Sequence, residues 1–194
     1  IDTQREIVET LGEVVEKRSV DASLHVKRVS SLCYFLAKKY GLSEEESIKL
    51  KISSPMHDIG KIGIPDSILL KPGELTESEM DTMKTHASIG QAILGHSERE
   101  ILQAASIIAY EHHEKWDGTG YPRGLKGDEI HIFGRISAVA DVFDALSHKR
   151  CYKDAWPLDK VLDLFKEQRE KHFDPKLVDI IFENIDLLKK EFDL

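Results

Sequence analysis

The sequence contains only two cysteines, Cys33 and Cys151, and they lie far apart in the chain. They form neither a disulfide framework nor a CxxC pair, which is typical of a reducing compartment. The sequence also lacks an apolar run long enough to span a bilayer, and it has no recognisable secretory signal. We therefore expect a cytoplasmic chain that makes no membrane contact.

Basic residues are in the minority, with 27 Lys and Arg against 35 Asp and Glu and a net charge of -8 at pH 7. This deficit disfavours a protein that binds nucleic-acid polymers, because such proteins usually carry a basic stripe. It does not exclude a small anionic ligand, since bound cations can reverse the field around a site. The nine histidines are numerous for a chain of this length, so their placement is informative.

Alternating strand patterns and internal repeats are also missing, whereas apolar residues recur at helical spacing. The spacing predicts helices up to about residue 18, over 20–40 and over 134–146. Three capping-box pairs predict further helix starts, and proline opens the last two helices: Ser43 with Glu46, Thr76 with Glu79, Ser97 with Glu100, Pro157, and Asp174-Pro175. The helices that begin at Thr76 and Ser97 are expected to carry His86 and to lead to His112. The sequence therefore predicts an all-α bundle, with an irregular loop over about 117–132 where glycines and Pro122 accumulate.

The chain length fits one domain with an appendage. Because the sequence opens on Ile1 rather than Met, we interpret the helix of residues 1–18 as a linker to an upstream domain. Residues 19–194 form the remaining unit. The amphipathic face of the first helix could also pair with a second copy of itself, which would give a homodimer.

Histidines and aspartates recur on several separate helices and on one loop, and a helical bundle core is a natural place for such groups to converge. The candidate metal ligands are Asp21, His25, His57, Asp58, His86, His112, His113 and Asp141. Asp58 is the expected bridge, because a carboxylate has two oxygens and can join two cations. Asp141 lies in an otherwise apolar helix, where a buried carboxylate needs a cation or a basic partner, and Asp144 is a candidate hydrogen-bonding residue.

Such a ligand set indicates phosphoester hydrolysis, because paired divalent cations activate water and bind phosphate oxygens. Imidazole and carboxylate ligands suit Fe, Mn, Zn, Co or Ni. Lys61 follows Asp58 by three residues, so its ammonium could neutralise phosphate charge and protonate a leaving oxygen. The alternative for Lys61 is a surface lysine. The isolated histidines are assigned no role: His96, His131, His148 and His172.

Four segments carry a family resemblance, namely "HDIGKIGIPDSILLKPGELT", "MKTHASIG", "HHEKWDGTGYPRGLKG" and "RISAVADVFDAL". They resemble the HD-GYP domains, a branch of the HD phosphohydrolase superfamily, over roughly residues 20–178. The GYP letters correspond to Gly120-Tyr121-Pro122. The resemblance implies a helical domain of the HD type with two or three iron or manganese ions. It also implies hydrolysis of cyclic di-GMP to pGpG, and onward to GMP, in bacterial second-messenger signalling.

The same resemblance implies roles for individual residues. One ion would bind His25, His57, Asp58 and Asp141, and the other would bind Asp58, His86, His112 and His113. A third ion depends on Asp21, where relatives carry a Glu that is one methylene longer. Lys61, as a catalytic group, matches the lysine that faces the substrate phosphate, and Arg150 and Lys153 match basic residues that bind substrate phosphates.

The GYP loop carries two open interpretations. Tyr121 could stack on a guanine of the substrate or anchor the loop. Glu114 and Asp117 are expected to hold the histidines or the loop through hydrogen bonds. In relatives this loop is linked to the recognition of GGDEF domains, which are therefore an expected partner.

Two functional alternatives remain beside the cyclic di-GMP phosphodiesterase. One is a non-catalytic module that senses a cyclic dinucleotide or docks a partner protein. The other is a hydrolase of a different cyclic dinucleotide, such as cyclic GMP-AMP. The sequence departs from the family pattern at "ISSPMHD" and at Cys151, where proline is common, but neither departure removes a predicted ligand.

Overall fold

The computed structural model describes residues 2–16, 22–149 and 154–192. Eleven α-helices occur within these ranges: α1 Asp2–Glu16, α2 Ala22–Tyr40, α3 Glu44–Ser53, α4 Asp66–Leu69, α5 Glu77–Lys84, α6 His86–Leu94, α7 Glu100–Glu111, α8 Ile132–Ser147, α9 Leu158–Glu167, α10 Pro175–Glu183 and α11 Ile185–Phe192. Three short 3₁₀ helices lie over Ser54–Met56, Ile59–Gly63 and Gly127–Glu129. No strand is found in these described ranges, so the predicted all-α class is confirmed.

Several helix boundaries follow from local signals in the sequence. Gly41 ends α2 with a positive φ of 106°, a conformation that favours glycine. The Ser43 side chain accepts the backbone N–H of Glu46 while the Glu46 carboxylate accepts that of Ser43, which starts α3. Pro55 follows the end of α3 and stands in the 3₁₀ helix that leads directly to His57. Pro55 thus marks the interruption between α3 and the His-Asp pair.

Three expectations about helix ends were wrong. The residue that caps α7 is Arg99, not Ser97, because the Ser97 hydroxyl accepts the Arg99 N–H at 3.2 Å and forms a local turn. The helix that begins after Thr76 ends at Lys84, and His86 opens a separate helix, α6. The helix at Pro175 is also not the last one, since α11 follows it after Asn184.

The main core lies among α2, α3, α7, α8 and the C-terminal helices. Leu36, Ile108, Ile136 and Phe165 are fully buried in this cluster. The aromatic rings of Phe165 and Phe173 stack with their centroids 4.4 Å apart, which joins α9 to the loop before α10. This apolar packing fixes α2 against α8, the two helices that carry His25 and Asp141.

Helix α1 packs against the segment that precedes the His-Asp pair. Val8 and Val15 are buried in a second apolar cluster that includes Met56. A Cβ atom on Gly12 would lie only 2.4 Å from the carbonyl oxygen of Pro55, so the two backbones approach closely. The opposite face of α1 is exposed and apolar at Ile7, Leu11 and Val14. No helix in the described ranges is both long and apolar enough to cross a membrane.

Candidate metal centre

Two groups of histidine and aspartate side chains meet in the bundle. Within each group, one ligand atom from every residue lies within 4.8 Å of the others. The first group is Asp58, His86, His112 and His113, and the second is His25, His57 and Asp141. These are seven of the eight ligands considered from the sequence, and Asp21 lies outside the described residues.

Asp58 lies between the two groups. Its Oδ2 atom is 3.3 Å from Nε2 of His57, which belongs to the second group. Its Oδ1 atom is 3.4 Å from Nε2 of His86 and 3.7 Å from Nε2 of His112 in the first group. The carboxylate therefore faces both groups, as expected of a bridging ligand.

Helix ends bring these side chains together. His57 and Asp58 form the junction between two 3₁₀ helices, His86 is the first residue of α6, and His112 directly follows α7. Gly60 allows this arrangement, because a Cβ atom there would lie 1.8 Å from the carbonyl oxygen of His86. The close contact between the backbones of Gly60 and His86 thus allows Asp58 to approach the histidines of the first group.

The histidine rings are held through their Nδ1 atoms. Nδ1 of His57 lies 2.9 Å from the carbonyl oxygen of Ser54, and Nδ1 of His86 lies 2.7 Å from that of Met83. Nδ1 of His112 lies 3.0 Å from the carbonyl oxygen of Ile108. Because a carbonyl only accepts hydrogen bonds, each ring carries its proton on Nδ1 and presents the Nε2 lone pair to the centre.

The interior of the centre contains polar atoms that fit a cation. Oδ1 of Asp58 and Nε2 of both His86 and His112 are buried, and they have no hydrogen-bond partner among the residues that the structure describes. Buried polar atoms are normally hydrogen-bonded, and leaving one unsatisfied costs about 1–3 kcal/mol. Carboxylate oxygen and imidazole nitrogen are suitable ligands for transition-metal ions. The donor set and these atoms therefore fit divalent cations.

Protonation in this region also favours cation binding. Burial is the main reason that the pKa of His86 falls to about 4, and burial together with the neighbouring His112 and His86 lowers the pKa of His113 well below its usual value. Burial alone would raise the pKa of Asp58, but Lys61 and His57 outweigh it and hold that pKa well below the ordinary value. Neutral imidazoles and ionised carboxylates are the forms that bind metal ions.

His25 is held by a charged partner rather than by a carbonyl. Its Nδ1 atom lies 2.6 Å from Oδ2 of Asp144, and its Nε2 atom lies 3.3 Å from Oδ1 of Asp141. Asp144 was considered from the sequence as a hydrogen-bonding residue, and it does form these bonds. Arg28 was not considered: its guanidinium donates to both oxygens of Asp144, at 2.5 and 3.1 Å. The sequence offers a weak signal for it, because Arg28 lies three residues after His25 on α2.

Lys61 lies at the edge of the centre. Its ammonium donates to Oδ2 of Asp58 at 2.5 Å, and its side chain is partly exposed. His113 and Asp141 are the partly exposed members of the two ligand groups. These three residues are therefore the parts of the centre that keep some contact with solvent.

The GYP loop covers the first group. The ring of Tyr121 stacks on that of His113 with the centroids 4.8 Å apart, and its N–H donates to the His113 carbonyl oxygen at 3.2 Å. The Glu114 carboxylate accepts the N–H groups of Arg123 and Leu125 at 2.7 and 2.9 Å. Tyr121 and Glu114 thus both anchor the loop.

Two further acidic residues stabilise this region. Asp117 accepts from Thr119 within the loop, as expected for a residue that holds the loop itself. Glu111, which sequence reasoning missed, accepts the His131 N–H at 2.6 Å and binds the Arg123 guanidinium. Its position directly before the His-His pair was the available signal.

The remaining residues considered from the sequence are the two predicted phosphate-binding residues and the isolated histidines. Arg150 and Lys153, the predicted phosphate-binding residues, lie outside the described residues. Of the histidines given no role, His96 is exposed and His131 caps α8 by accepting the Phe133 N–H. His148 contacts Asp144, with its Nδ1 atom 3.0 Å from Oδ1.

Comparison with known proteins agrees with this fold and site. The family model described as HD domain matches residues 9–177. Because the match covers most of the chain, this chain belongs to the HD domain family. The predicted resemblance to the HD-GYP domains is confirmed.

Two of these relatives are the 3'3'-cGAMP-specific phosphodiesterase 2 of Vibrio cholerae and the cyclic di-GMP phosphodiesterase response regulator RpfG of Xanthomonas campestris. The first is 49% identical over 95% of this chain and 35% of its own length. The second is 46% identical over 93% of this chain and 48% of its own length. The chain thus spans half or less of the length of these two relatives.

A solved structure shares the fold. The crystal structure of a cyclic GMP-AMP specific phosphodiesterase of V. cholerae, V-cGAP3, matches with a TM-score of 0.70 at 20% identity. The match covers 94% of this chain and 48% of that chain. At this level of identity the match establishes the all-helical fold alone.

Proposed function

We propose that this chain is a metal-dependent phosphodiesterase that hydrolyses cyclic di-GMP to pGpG, and onward to GMP. The observation that carries the proposal is the pair of His/Asp groups that meet at Asp58 beside the Lys61 ammonium. The names of the relatives support it, because both describe phosphodiesterases of cyclic dinucleotides.

The ligands that we propose follow the two groups. His25, His57, Asp58 and Asp141 would hold one ion, and Asp58, His86, His112 and His113 would hold the other. Iron or manganese suits this set of imidazoles and carboxylates, and a third ion would require Asp21. When bound, such ions polarise phosphoryl oxygens and lower the pKa of water.

The chain itself would handle charge and protons around the scissile phosphate. The Lys61 ammonium contacts Asp58, and its side chain is itself partly exposed. Hydrolysis forms a bond between a water oxygen and phosphorus, with loss of a proton from that water, and breaks the bond between phosphorus and the 3′ oxygen. The 3′ oxygen leaves with a pair of electrons and needs a proton. Lys61 would neutralise the phosphate in the transition state and donate that proton. Arg150 and Lys153 would bind the phosphates of the dinucleotide.

The Tyr121 ring has a positional role in this proposal. It covers His113 by stacking, and the Lys84 ammonium lies 5.8 Å from its centroid. Tyr121 would therefore shield one face of His113 from water rather than offer that face of its own ring to a substrate base.

A second candidate function is hydrolysis of 3′3′-cyclic GMP-AMP. It is favoured by one observation, the 49% identity to a relative named for that specificity. The metal centre would work in the same way on either substrate, because both contain the same phosphodiester linkage. The difference would lie in how the purine bases are read.

The expected context of the domain follows from the same family. We propose a cytoplasmic signalling protein whose GYP loop contacts a GGDEF domain or another partner. The exposed apolar face of α1 would serve a homodimer or an upstream domain, with residues 1–18 as the link to the catalytic unit of residues 19–194.

The experiment is hydrolysis by the purified chain loaded with Mn²⁺ or with Fe²⁺ under anaerobic conditions. Cyclic di-GMP and cyclic GMP-AMP are supplied separately and in competition, and the products are resolved by chromatography. We expect turnover of cyclic di-GMP that is lost in His86→Ala and retained in His96→Ala, a matched change at an exposed histidine. Faster turnover of cyclic GMP-AMP would favour the second candidate, whereas binding without any product would favour a non-catalytic sensor.

A further inference from the structure

His25 differs from its neighbours in what holds its ring. The Nδ1 atoms of His57, His86 and His112 contact main-chain carbonyls, whereas that of His25 contacts the Asp144 carboxylate at 2.6 Å. A carboxylate that accepts the Nδ1 proton makes the ring a more basic ligand and fixes its direction. The bond also crosses the fold, since it joins α2 to α8 over 119 positions of the sequence.

Asp144 is itself firmly held. Both of its oxygens accept from the Arg28 guanidinium, which is the two-point geometry in which Arg binds a carboxylate most specifically. The Asp144 side chain is only 2% exposed, so these bonds form largely away from water. Because the Arg28 guanidinium has only donors and contacts both oxygens, Asp144 acts as the acceptor in these bonds.

We propose that Asp144, held by two hydrogen bonds from Arg28, is a positioning residue that fixes the Nδ1–H form and the direction of His25. Binding of an ion by the group of His25, His57 and Asp141 then depends on this link between α2 and α8. Binding of an ion by the group of Asp58, His86, His112 and His113 does not. The inference rests on the proposed metal centre. It adds that the binding of only one of the two ions depends on Asp144 and Arg28, which are not themselves metal ligands.

The substitution Asp144→Asn tests the proton form directly, because it replaces one acceptor oxygen with an NH₂ donor. Nε of Arg28 donates to Oδ1 at 2.5 Å, whereas Oδ2 faces Nδ1 of His25 at 2.6 Å. Arg28 supplies only donors, so its Nε keeps the amide oxygen at the Oδ1 position, and the NH₂ group takes the Oδ2 position that faces His25. Nδ1 of His25 must then accept, which moves the ring proton to Nε2 and removes the lone pair that faces Asp141.

The first measurement reports this proton form without any metal. Long-range proton–nitrogen NMR correlation of the metal-free, histidine-labelled chain, recorded at a pH high enough for the His25 ring to be neutral, distinguishes Nδ1–H from Nε2–H rings. We expect His25 in the Nδ1–H form in the wild type and in the Nε2–H form in Asp144→Asn. An Nδ1–H ring in both proteins, or an Nε2–H ring in the wild type, would overturn the inference while leaving the proposed function untouched.

The second measurement is a titration of the metal-stripped chain with Mn²⁺, with free Mn²⁺ followed by electron paramagnetic resonance. Changes to residues that hydrogen-bond a metal ligand typically weaken metal binding about 10–100-fold. We expect one of two Mn²⁺ equivalents to weaken by this factor in Asp144→Asn and the other to keep its affinity. Arg28→Lys should act in the same direction with a smaller factor, because Lys keeps the charge but cannot form both bonds.

A matched control is available at the surface. Arg169 makes the same two-point contact with Asp179, at 2.9 Å for both bonds, but on the exposed side of α10. Arg169→Ala should leave both Mn²⁺ equivalents unchanged. If folded Asp144→Asn and Arg28→Lys bind both Mn²⁺ equivalents with wild-type affinity, the pair only supports the fold. That result would overturn this inference but not the proposed function. A wild-type chain that binds no Mn²⁺ would contradict the proposed metal centre, and this inference with it.

Discussion

The backbone of Gly60 lies so close to that of His86 that Gly60→Ala should disturb both the fold and the site. The new Cβ atom would lie 1.8 Å from the His86 carbonyl oxygen and 2.5 Å from the Gly90 backbone nitrogen. Ordinary van der Waals contact begins at 3.4 Å, so the Ile59–Gly63 3₁₀ helix and α6 must separate by more than about 1 Å. No side-chain rotation can relieve the overlap, because both obstructing atoms belong to the backbone.

This separation has consequences for stability and for the site. Overpacking of this kind typically costs about 1–3 kcal/mol, and we expect the upper end of that range. For a chain of this size, about 3 kcal/mol lowers the melting temperature by about 6–12 °C. Asp58 and His86 would move apart as the two segments separate, and a misplacement of about 1 Å can cost about 100-fold in rate.

The assay compares Gly60→Ala with Gly63→Ala in the same 3₁₀ helix. The Cβ atom at Gly63 would meet the side chain of Ile89, at 2.9 Å from Cδ1, and a flexible side chain can move aside. Calorimetry and Mn²⁺ binding should therefore show a large loss for Gly60→Ala and a small one for Gly63→Ala. Equal melting temperatures and equal Mn²⁺ affinities for the two variants would show that the contact between Gly60 and His86 does not position the site.

Three further predictions concern the centre and its surroundings. Lys61→Ala should lower hydrolysis of cyclic di-GMP by about 100-fold or more while Mn²⁺ binding persists, because a positioned proton donor is typically worth that factor; unchanged turnover would exclude the proposed role of Lys61. Mn²⁺ at about 100 times its dissociation constant should stabilise the folded chain by about 2.7 kcal/mol and raise its melting temperature in calorimetry. EDTA should reverse the shift. A melting temperature that responds to neither Mn²⁺ nor EDTA would contradict the binding of an ion to the folded chain. In a Cys151→Ser background, Cys33 should resist a thiol reagent at pH 8 until the chain unfolds, because burial raises its pKa to about 12; rapid labelling of the native chain would contradict the buried position.

Local signals explain which parts of the fold were predictable. The capping boxes at Ser43 and Thr76, and the interruption at Pro55, depend on residues three or four apart, so the sequence displays them directly. Ser97 shows the limit of the same pattern, because the matching letters are present but the hydroxyl bonds to Arg99 instead. A pattern identifies a possible bond, and the surrounding chain decides which of the possible bonds forms.

The candidate site shows the same division. The ligand types and the bridging place of Asp58 could be argued from the chemistry of the residues and from a family resemblance. The hydrogen bonds from Arg28 to Asp144 could not be predicted, because they join residues 116 positions apart and depend on how α2 packs against α8. Likewise, whether the Tyr121 ring faces a substrate or a histidine is decided by the path of the loop, and the structure places it on His113.

The most direct test of the central claim is anomalous scattering at the manganese edge from crystals of the Mn²⁺-loaded chain, with metal content measured on the same sample. We expect two anomalous peaks on either side of the Asp58 carboxylate, one beside His25 and the other beside His86. Crystals from Mn²⁺-saturated protein that show no peak at Asp58, or manganese bound only at other positions, would contradict it.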